Sequence, residues 1–99
     1  MNRVLRTVTF ARWLSTLRDV YGKARIIHRI RALERNHEGD CKPVGQGIRE
    51  LRIHVGPGYR VYFTRFSKGV LVLLCGGTKG TQRRDVQRAS RLARKLERD

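Results

Sequence analysis

The stretch that decides the fold is residues 56–66, GPGYRVYFTRF, in which a turn leads directly into a β-strand. Pro57 fixes one corner of this turn and Gly58 can adopt a positive φ, so the chain is predicted to reverse direction here. The following residues alternate between two faces, with hydrophobic side chains on one face and Arg60 on the other. The stretch therefore predicts the second strand of a hairpin, and it raises the question of what Arg60 does.

The strands on either side of this stretch follow from the same reasoning. Residues 48–55, IRELRIHV, alternate and predict the first strand of the hairpin. Residues 69–75, GVLVLLC, are apolar on both faces, as expected of a central strand. The hairpin is predicted to turn one face to the core, through Leu51, Ile53, Val61 and Phe63. Its other face carries two arginines, a histidine and a tyrosine, namely Arg52, His54, Arg60 and Tyr62.

Two helices are predicted before the hairpin and one after the last strand. Residues 10–21 carry hydrophobic side chains at helical spacing up to Tyr21, and this pattern makes Trp13 a core residue rather than a base-stacking one. Residues 22–38 form the second helix, whose basic outer face is either solvated or a contact surface. Residues 82–97 form the third helix, which is expected to pack loosely because its apolar stripe is narrow.

The predicted order is β-α-α-β-β-β-α, with β-prone residues 3–9 at the start and a glycine-rich loop at residues 36–47. This predicts one α+β domain, residues 1–99, with a small antiparallel β-sheet. Two N-terminal helices pack on one face of that sheet, and a C-terminal helix ends the chain. Arg60 then points away from the two N-terminal helices and does not interrupt the core.

The net charge is the most unusual feature of the composition. The chain has 23 Lys and Arg against 8 acidic residues, which gives a net charge of +15. Most of the basic residues are arginine, whose planar guanidinium binds phosphate through two parallel hydrogen bonds. A charge of this size in so short a chain favours nucleic acid, an anionic surface or an acidic protein as the partner.

Several kinds of site and location are disfavoured by the sequence. Cys41 and Cys75 form no CxxC pair and the three histidines lie far apart, so no metal site and no cofactor are expected. Residues 76–85, GGTKGTQRRD, do not match a phosphate-binding Walker motif, although their glycines allow close approach of a ligand to the backbone. No apolar run is long enough to cross a membrane, so we expect a cytoplasmic protein with no membrane partner.

Cleavage of RNA requires few catalytic groups, because the 2′-hydroxyl of the substrate is the nucleophile. The protein must align that hydroxyl with the phosphorus, stabilise charge in the transition state and move two protons. Arg60 and Arg52 suit charge stabilisation, and His54 is of the residue type that ordinarily exchanges a proton near neutral pH. Tyr62 is suited to stack on a base or to orient a phosphate. Ordinary bases are scarce in this set, which predicts a weak nuclease when the protein acts alone.

Three segments of the chain match a known pattern, namely FARWLSTLRD at residues 10–19, VGQGIRELRIHVGPGYRVYF at 44–63 and GVLVLLCGGTKGTQRRDVQRA at 69–89. Together they resemble the RelE/ParE toxin superfamily, and more narrowly its HigB-like branch of phage-derived addiction module killer proteins. The likeness extends over nearly the whole chain. It implies a RelE-like, microbial-ribonuclease-type fold, which agrees with the order of elements predicted above.

The resemblance also implies a function and a set of partners. It implies the toxin of a type II toxin–antitoxin module, an mRNA interferase that enters the ribosome and blocks translation as an endoribonuclease. A cognate helix-turn-helix antitoxin of the HigA-like kind would neutralise the toxin. Operator DNA would be contacted only through the toxin–antitoxin complex. The ribosome would supply the orientation that a sparse active site lacks.

Site residues carry over from the resemblance one by one. The arginine of the GYR strand corresponds to Arg60, the basic residue of the preceding strand to Arg52, and the basic position after the last strand to Lys79. His54 completes the catalytic candidates. Relatives place lysines on the earlier strand as candidate bases, whereas this strand carries Glu50, Arg52 and His54. Some relatives use a tyrosine in the C-terminal segment, where the candidates here are Gln82 and Asp85, so the general base is left open. The RNA-binding candidates are Arg49, Tyr62, Gln82, Arg83 and Arg84.

Two alternatives remain open at this stage. A ParE-like toxin inhibits DNA gyrase through protein contacts and cleaves nothing, and a plain basic nucleic-acid-binding protein would use its charge for phosphate contacts alone. The nuclease function, by contrast, predicts that replacing Arg60 with alanine abolishes toxicity and leaves the fold intact. Plain binding predicts that the same replacement weakens binding only slightly.

Overall fold

The predicted hairpin forms the middle of the sheet. In a computed structural model, which describes residues 1–97, strands β3 (Ile48–Ile53) and β4 (Tyr59–Ser67) run antiparallel, and Arg52 pairs with Arg60 in register. Gly58 has a φ of 79°, the positive value that its turn was predicted to need. The hairpin and both of its strands are therefore confirmed.

The sheet contains five strands among the described residues, in the order β1-β5-β4-β3-β2. The α+β class is confirmed, but the sheet is mixed rather than antiparallel, because β1 (Arg3–Arg6) runs parallel to β5 (Val70–Thr78). The loop predicted at residues 36–47 contains a further strand, β2 (Cys41–Gly45), which pairs antiparallel with β3. Its reversal into β3 uses positive φ angles, 100° at Gly45, 56° at Gln46 and 76° at Gly47.

Two helices cover one face of the sheet, as predicted, but their boundaries differ from the prediction. Helix α1 spans Val8–Thr16 and helix α2 spans Val20–Glu34. The Asp19 side chain accepts a hydrogen bond from the Gly22 N–H at 2.9 Å and so caps α2, which begins two residues earlier than the periodicity indicated. Tyr21, predicted to be a core residue, is 66 % exposed as a result.

The main core lies between the sheet and these two helices. Phe10 and Leu14 of α1 and Ile26 of α2 are buried against the inward-facing residues of the sheet. Burying each such side chain contributes about 1.5–3 kcal/mol. The four hairpin residues predicted to face this core do so, namely Leu51, Ile53, Val61 and Phe63.

Helix α3 (Gln82–Glu97) packs on the opposite face of the sheet, so the prediction of loose packing was wrong. Ala89 is fully buried and Ala93 is 9 % exposed, and their small side chains let the helix approach the strands closely. Tyr62 and Ile48 of the sheet lie beneath it in a second core. The polar face of the hairpin is therefore not open to solvent but lies partly under α3.

In residues 1–97, no helix has both the length and the apolar character needed to cross a membrane. The cytoplasmic location stays a prediction.

Candidate active site

A buried carboxylate, Glu50 of β3, lies at the centre of the polar cluster under α3. Glu50 is 1 % exposed. Its Oε2 accepts hydrogen bonds from the Tyr62 hydroxyl at 3.1 Å and from Gln82 Nε2 at 2.9 Å. Its Oε1 lies 3.9 Å from Nε of Arg60. The cluster thus joins two adjacent strands to the first residue of α3.

Arg60 is buried in the same cluster, with 4 % of its surface exposed. One Nη1 hydrogen bond, 3.1 Å long, goes to the carbonyl oxygen of Tyr59. Within the described residues, Nε of Arg60 and Oε1 of Glu50 have no hydrogen-bond partner, since 3.9 Å is too long for such a bond. Buried charges that keep an unused donor or acceptor are costly, so they require an explanation other than stability.

Tyr62 acts as a hydrogen-bond donor within this cluster. Burial, together with the neighbouring charge of Glu50, raises the pKa of the Tyr62 hydroxyl above its usual value. The hydroxyl therefore stays protonated and donates to Glu50. The side chain is fully buried, so its ring offers no accessible face on which a base could stack.

The turn that follows β5 places Lys79 and Gln82 beside the cluster. The Lys79 N–H donates to the carbonyl oxygen of Gly58 at 2.7 Å, which ties this turn to the hairpin turn. The Thr81 hydroxyl donates to Asp85 at 2.5 Å. A Cβ on Gly77 would overlap the Asp85 carboxylate, so this position requires glycine. The clasp between Thr81 and Asp85 holds the start of α3 over the sheet and thereby orients Gln82.

Arg52 and His54 form the more exposed rim of the site. The Arg52 Nε lies 3.7 Å from the Asp40 carboxylate, and the His54 ring is hydrogen-bonded to the same carboxylate. The His54 side chain is 61 % exposed. The hydrogen bond from His54, and then the charge of Arg52, hold the pKa of Asp40 below its usual value.

An open groove of about 460 Å³ leads from the solvent to Glu50. Its walls come from β2, β3 and the first two turns of α3, and its lining includes Lys42, Gln82 and Arg83. Arg84 lies beside this groove with its side chain 77 % exposed. Residues 82–96 contain one acidic residue, Asp85, and it is buried, so the charged side chains that this part of α3 exposes are all basic.

The predicted site residues do not all come together. Arg60, Tyr62 and Gln82 meet around Glu50, and Arg52 and His54 meet at Asp40. Lys79 lies at the adjoining turn and Arg83 lines the groove. Arg49, however, alternates onto the face that α1 and α2 cover, where it pairs with Glu38 at 2.8 Å.

Sequence reasoning missed the two carboxylates that organise the site. Glu50 lies on the same strand as Arg52 and faces the same side of the sheet. The alternation of the sequence therefore indicated its position, but the sequence pattern suggested it only as one of three residues in place of a lysine. Asp40 stood in a segment predicted to be a loop, and its contacts with the rim depend on the unpredicted strand β2. The pairing of β2 with β3 places Asp40 beside Arg52, and a pairing of this kind cannot be read from either segment alone.

Comparisons with known proteins agree with this architecture. A family model described as "Phage derived protein Gp49-like (DUF891)" matches residues 12–96. An uncharacterized protein of Haemophilus influenzae is 45 % identical over 94 residues, which cover 95 % of each chain. No solved structure matches with significance. The chain belongs to the phage-derived Gp49-like family, which in general is a family of RelE/HigB-like addiction module toxins.

Proposed function

We propose that the protein is the toxin of a type II toxin–antitoxin module, of the HigB-like branch, and that it cleaves mRNA on the ribosome. The observation that carries this proposal is the pair of Glu50 and Arg60. Both are buried, each keeps an unused polar atom, and an open groove reaches Glu50. Such an arrangement is expected where a ligand completes the hydrogen bonding.

The proposed reaction is a transesterification at one phosphate of the RNA. The Glu50 carboxylate, which the groove reaches, accepts the proton of the 2′-hydroxyl while the 2′-oxygen forms a bond to phosphorus. The bond from phosphorus to the 5′-oxygen breaks, and His54 in its protonated form donates a proton to that oxygen. The products are a 2′,3′-cyclic phosphate and a 5′-hydroxyl, so atoms and protons balance without a cofactor.

Three cations are assigned to the phosphate in this proposal. Arg60 lies beside Glu50, and Arg52 and Lys79 lie at the rim and on the adjoining turn. Positive charge fixed in place before the reaction stabilises the extra negative charge of the transition state. Arg83 and Arg84 extend the positive surface along the start of α3, where they would hold the neighbouring phosphates of the RNA.

The ribosome is the proposed site of action because the site itself is sparse. Glu50 and Arg60 are buried and the groove that leads to Glu50 is open, so few contacts are available to hold RNA in a reactive geometry on the protein alone. The net charge of +15 favours association with ribosomal RNA and makes that association sensitive to salt.

The proposed antitoxin is a helix-turn-helix protein that carries an acidic region. Membership in a toxin family supports such a partner. The outer surface of α3 supports its acidic character, because a large positive field favours a partner of opposite charge. We propose that the toxin contacts operator DNA only as part of this complex. Co-expression with the neighbouring reading frame is expected to neutralise the toxin and to move it to a larger species on a sizing column.

A ParE-like inhibitor of DNA gyrase is the second candidate function. The burial of Arg60 favours it, since a guanidinium that is 4 % exposed can serve a structural role. Pulse labelling of cells after induction separates the two functions. Loss of amino-acid incorporation before any DNA-damage response supports the nuclease, and the opposite order supports the gyrase inhibitor.

The ends of the cleaved RNA test the proposed reaction. Purified protein with programmed ribosomes should release fragments with a 2′,3′-cyclic phosphate and a 5′-hydroxyl. Glu50→Gln and His54→Ala should each lower the cleavage rate by about a hundredfold or more. Arg65→Ala is the matched control, because Arg65 is an exposed arginine toward the other end of β4. Equal cleavage rates for the wild type, the two site variants and the Arg65→Ala control would contradict the roles of Glu50 as base and His54 as acid.

A further inference from the structure

The rim of the site contains a histidine–carboxylate pair that is held by a third residue. His54 bonds to Asp40 through Nε2, and Arg52 approaches the same carboxylate at 3.7 Å. This pair lies outside the buried cluster around Glu50. Its geometry follows from the loop that precedes β2, whose position is fixed by hydrogen bonds.

Arg29 of α2 provides those hydrogen bonds. Its guanidinium donates to the main-chain carbonyl oxygen of Arg52 at 2.5 Å, of Glu38 at 2.9 Å and of Asp40 at 3.1 Å. One side chain therefore joins the loop to β3. Gly39 has a φ of 63°, and a Cβ there would lie 3.0 Å from Nη2 of Arg29, so glycine lets the loop wrap closely around the guanidinium. The basic face of α2 is thus not wholly a solvated surface.

The hydrogen bond also decides which nitrogen of His54 carries a proton. The pKa of Asp40 is held below its usual value, so the carboxylate is ionised at neutral pH and can only accept hydrogen bonds. Nε2 of His54 must then be the donor. Nδ1 is left as the nitrogen available to a substrate, as an acceptor in the neutral ring or as a donor in the imidazolium.

We propose that Asp40, fixed by Arg29, is a positioning residue that orients His54 and makes Nδ1 its reactive nitrogen. This inference rests on the proposed cleavage of RNA. A carboxylate that fixes the tautomer of a histidine and stabilises its protonated form is a general means of preparing it for proton transfer. The charged groups facing this pair in the described residues are Arg29 and Arg52, and both favour the ionised carboxylate.

The first measurement uses the free, full-length protein and does not depend on activity. Long-range proton–nitrogen NMR spectra of the imidazole rings report which nitrogen of His54 is protonated, with His54→Gln used for assignment. In the wild type, Nε2 should be protonated throughout the range of the neutral ring. Asp40→Ala should give a mixture of both tautomers, and Asp40→Glu should restore the Nε2 form at least in part. Equal tautomer populations in the wild type and Asp40→Ala would overturn the proposal.

The second measurement is the cleavage rate on programmed ribosomes. Asp40→Ala should lower kcat by about tenfold to a hundredfold with KM changed less than threefold, since the residue acts through His54. Arg29→Lys should lower kcat in the same direction, because lysine cannot reach three carbonyl oxygens. Glu34→Ala, which removes an exposed acid at the end of α2, is the control and should match the wild type.

Failure of this inference is distinguishable from failure of the proposed function. A wild type that cleaves mRNA at the same rate as a folded Asp40→Ala variant overturns the positioning role alone. A wild type that cleaves no mRNA on the ribosome contradicts the proposed function and, with it, this role. Unchanged far-UV circular dichroism and dispersed amide spectra verify that each variant is folded.

Discussion

Glu50 and Arg60 form a buried ion pair across strands β3 and β4, with Oε1 and Nε 3.9 Å apart. The side chains are 2 % and 5 % exposed, so each charge depends on the other for compensation. Removal of one partner leaves an uncompensated buried charge. This relationship changes what a substitution of Arg60 is expected to do, because the sequence alone predicted that alanine there would leave the fold intact.

Arg60→Ala is therefore expected to lower the free energy of unfolding by about 3–5 kcal/mol, in addition to any loss of activity. Urea unfolding of Arg60→Ala, Glu50→Gln and the double variant measures the coupling. The double variant should be more stable than the sum of the two single effects predicts, by about 0.5–3 kcal/mol. Strictly additive effects would contradict the ion pair.

Tyr62→Phe tests the hydrogen bond that reaches Glu50 from β4. The change keeps the ring and removes the hydroxyl donor, so Glu50 retains the bond from Gln82 but loses one of two. The free energy of unfolding should fall by about 1 kcal/mol. Tyr21→Phe is the matched control, because Tyr21 is 66 % exposed, and it should change the stability very little. Equal effects at the two positions would exclude a buried bond at Tyr62.

Gly77→Ala tests the clasp that holds the start of α3. A Cβ at Gly77 would overlap the Asp85 carboxylate and approach Thr81 Oγ1 to 2.9 Å, so the clasp must open. We expect a loss of about 2 kcal/mol or more in stability and a matching loss of cleavage. Gly80→Ala lies in the same turn, where the nearest atom to a new Cβ is 3.9 Å away, and it should be tolerated. Calorimetry of both variants decides between these outcomes.

The pH dependence of stability should report on Asp19. The hydrogen bond from the Gly22 N–H, and then that from the Tyr59 hydroxyl, hold the pKa of this carboxyl below its ordinary value of 3.8. The unfolded chain therefore binds the proton more readily than the folded chain. The stabilisation is fully present above about pH 4 and is lost as the pH falls through the folded-state value.

Asp19→Asn keeps a capping oxygen but does not titrate. The difference in Tm between wild type and Asp19→Asn should be constant from about pH 5 to pH 7 and should shrink below about pH 4. Thermal unfolding monitored by circular dichroism over this range measures it. A constant difference down to the lowest pH would show that Asp19 does not contribute as a charged cap.

The strands of the hairpin were predictable because their residues alternate over a full strand length and their turn requires Gly58. The parallel pairing of β1 with β5 was not predictable. Nothing in the sequence of Arg3–Arg6 indicates which strand it pairs with, and β5 follows more than sixty residues later. Strand β2 was missed because Pro43 and Gly45 are typical of loops, and its edge position is what tolerates the proline.

The site was predicted less completely than the fold. Arg60 and Arg52 followed from parity within one hairpin, and Gln82 from its place after the last strand. The burial of Tyr62 and Arg60 depends on α3, whose alanines give a weak signal in a sequence although they permit the closest packing. The position of Asp40 depends on Arg29, whose guanidinium donates three hydrogen bonds to main-chain carbonyl oxygens. No sequence pattern indicates such a set of hydrogen bonds.

Primer extension on a defined mRNA with programmed ribosomes and purified protein tests the central claim most directly. Wild type, Glu50→Gln and Arg65→Ala would be compared after each is shown to be folded. The account predicts cuts within the A-site codon by the wild type and by Arg65→Ala, and at least a hundredfold fewer cuts by Glu50→Gln. A folded wild-type protein that stops growth but makes no cuts would contradict ribosome-dependent cleavage and move the target to gyrase or another protein.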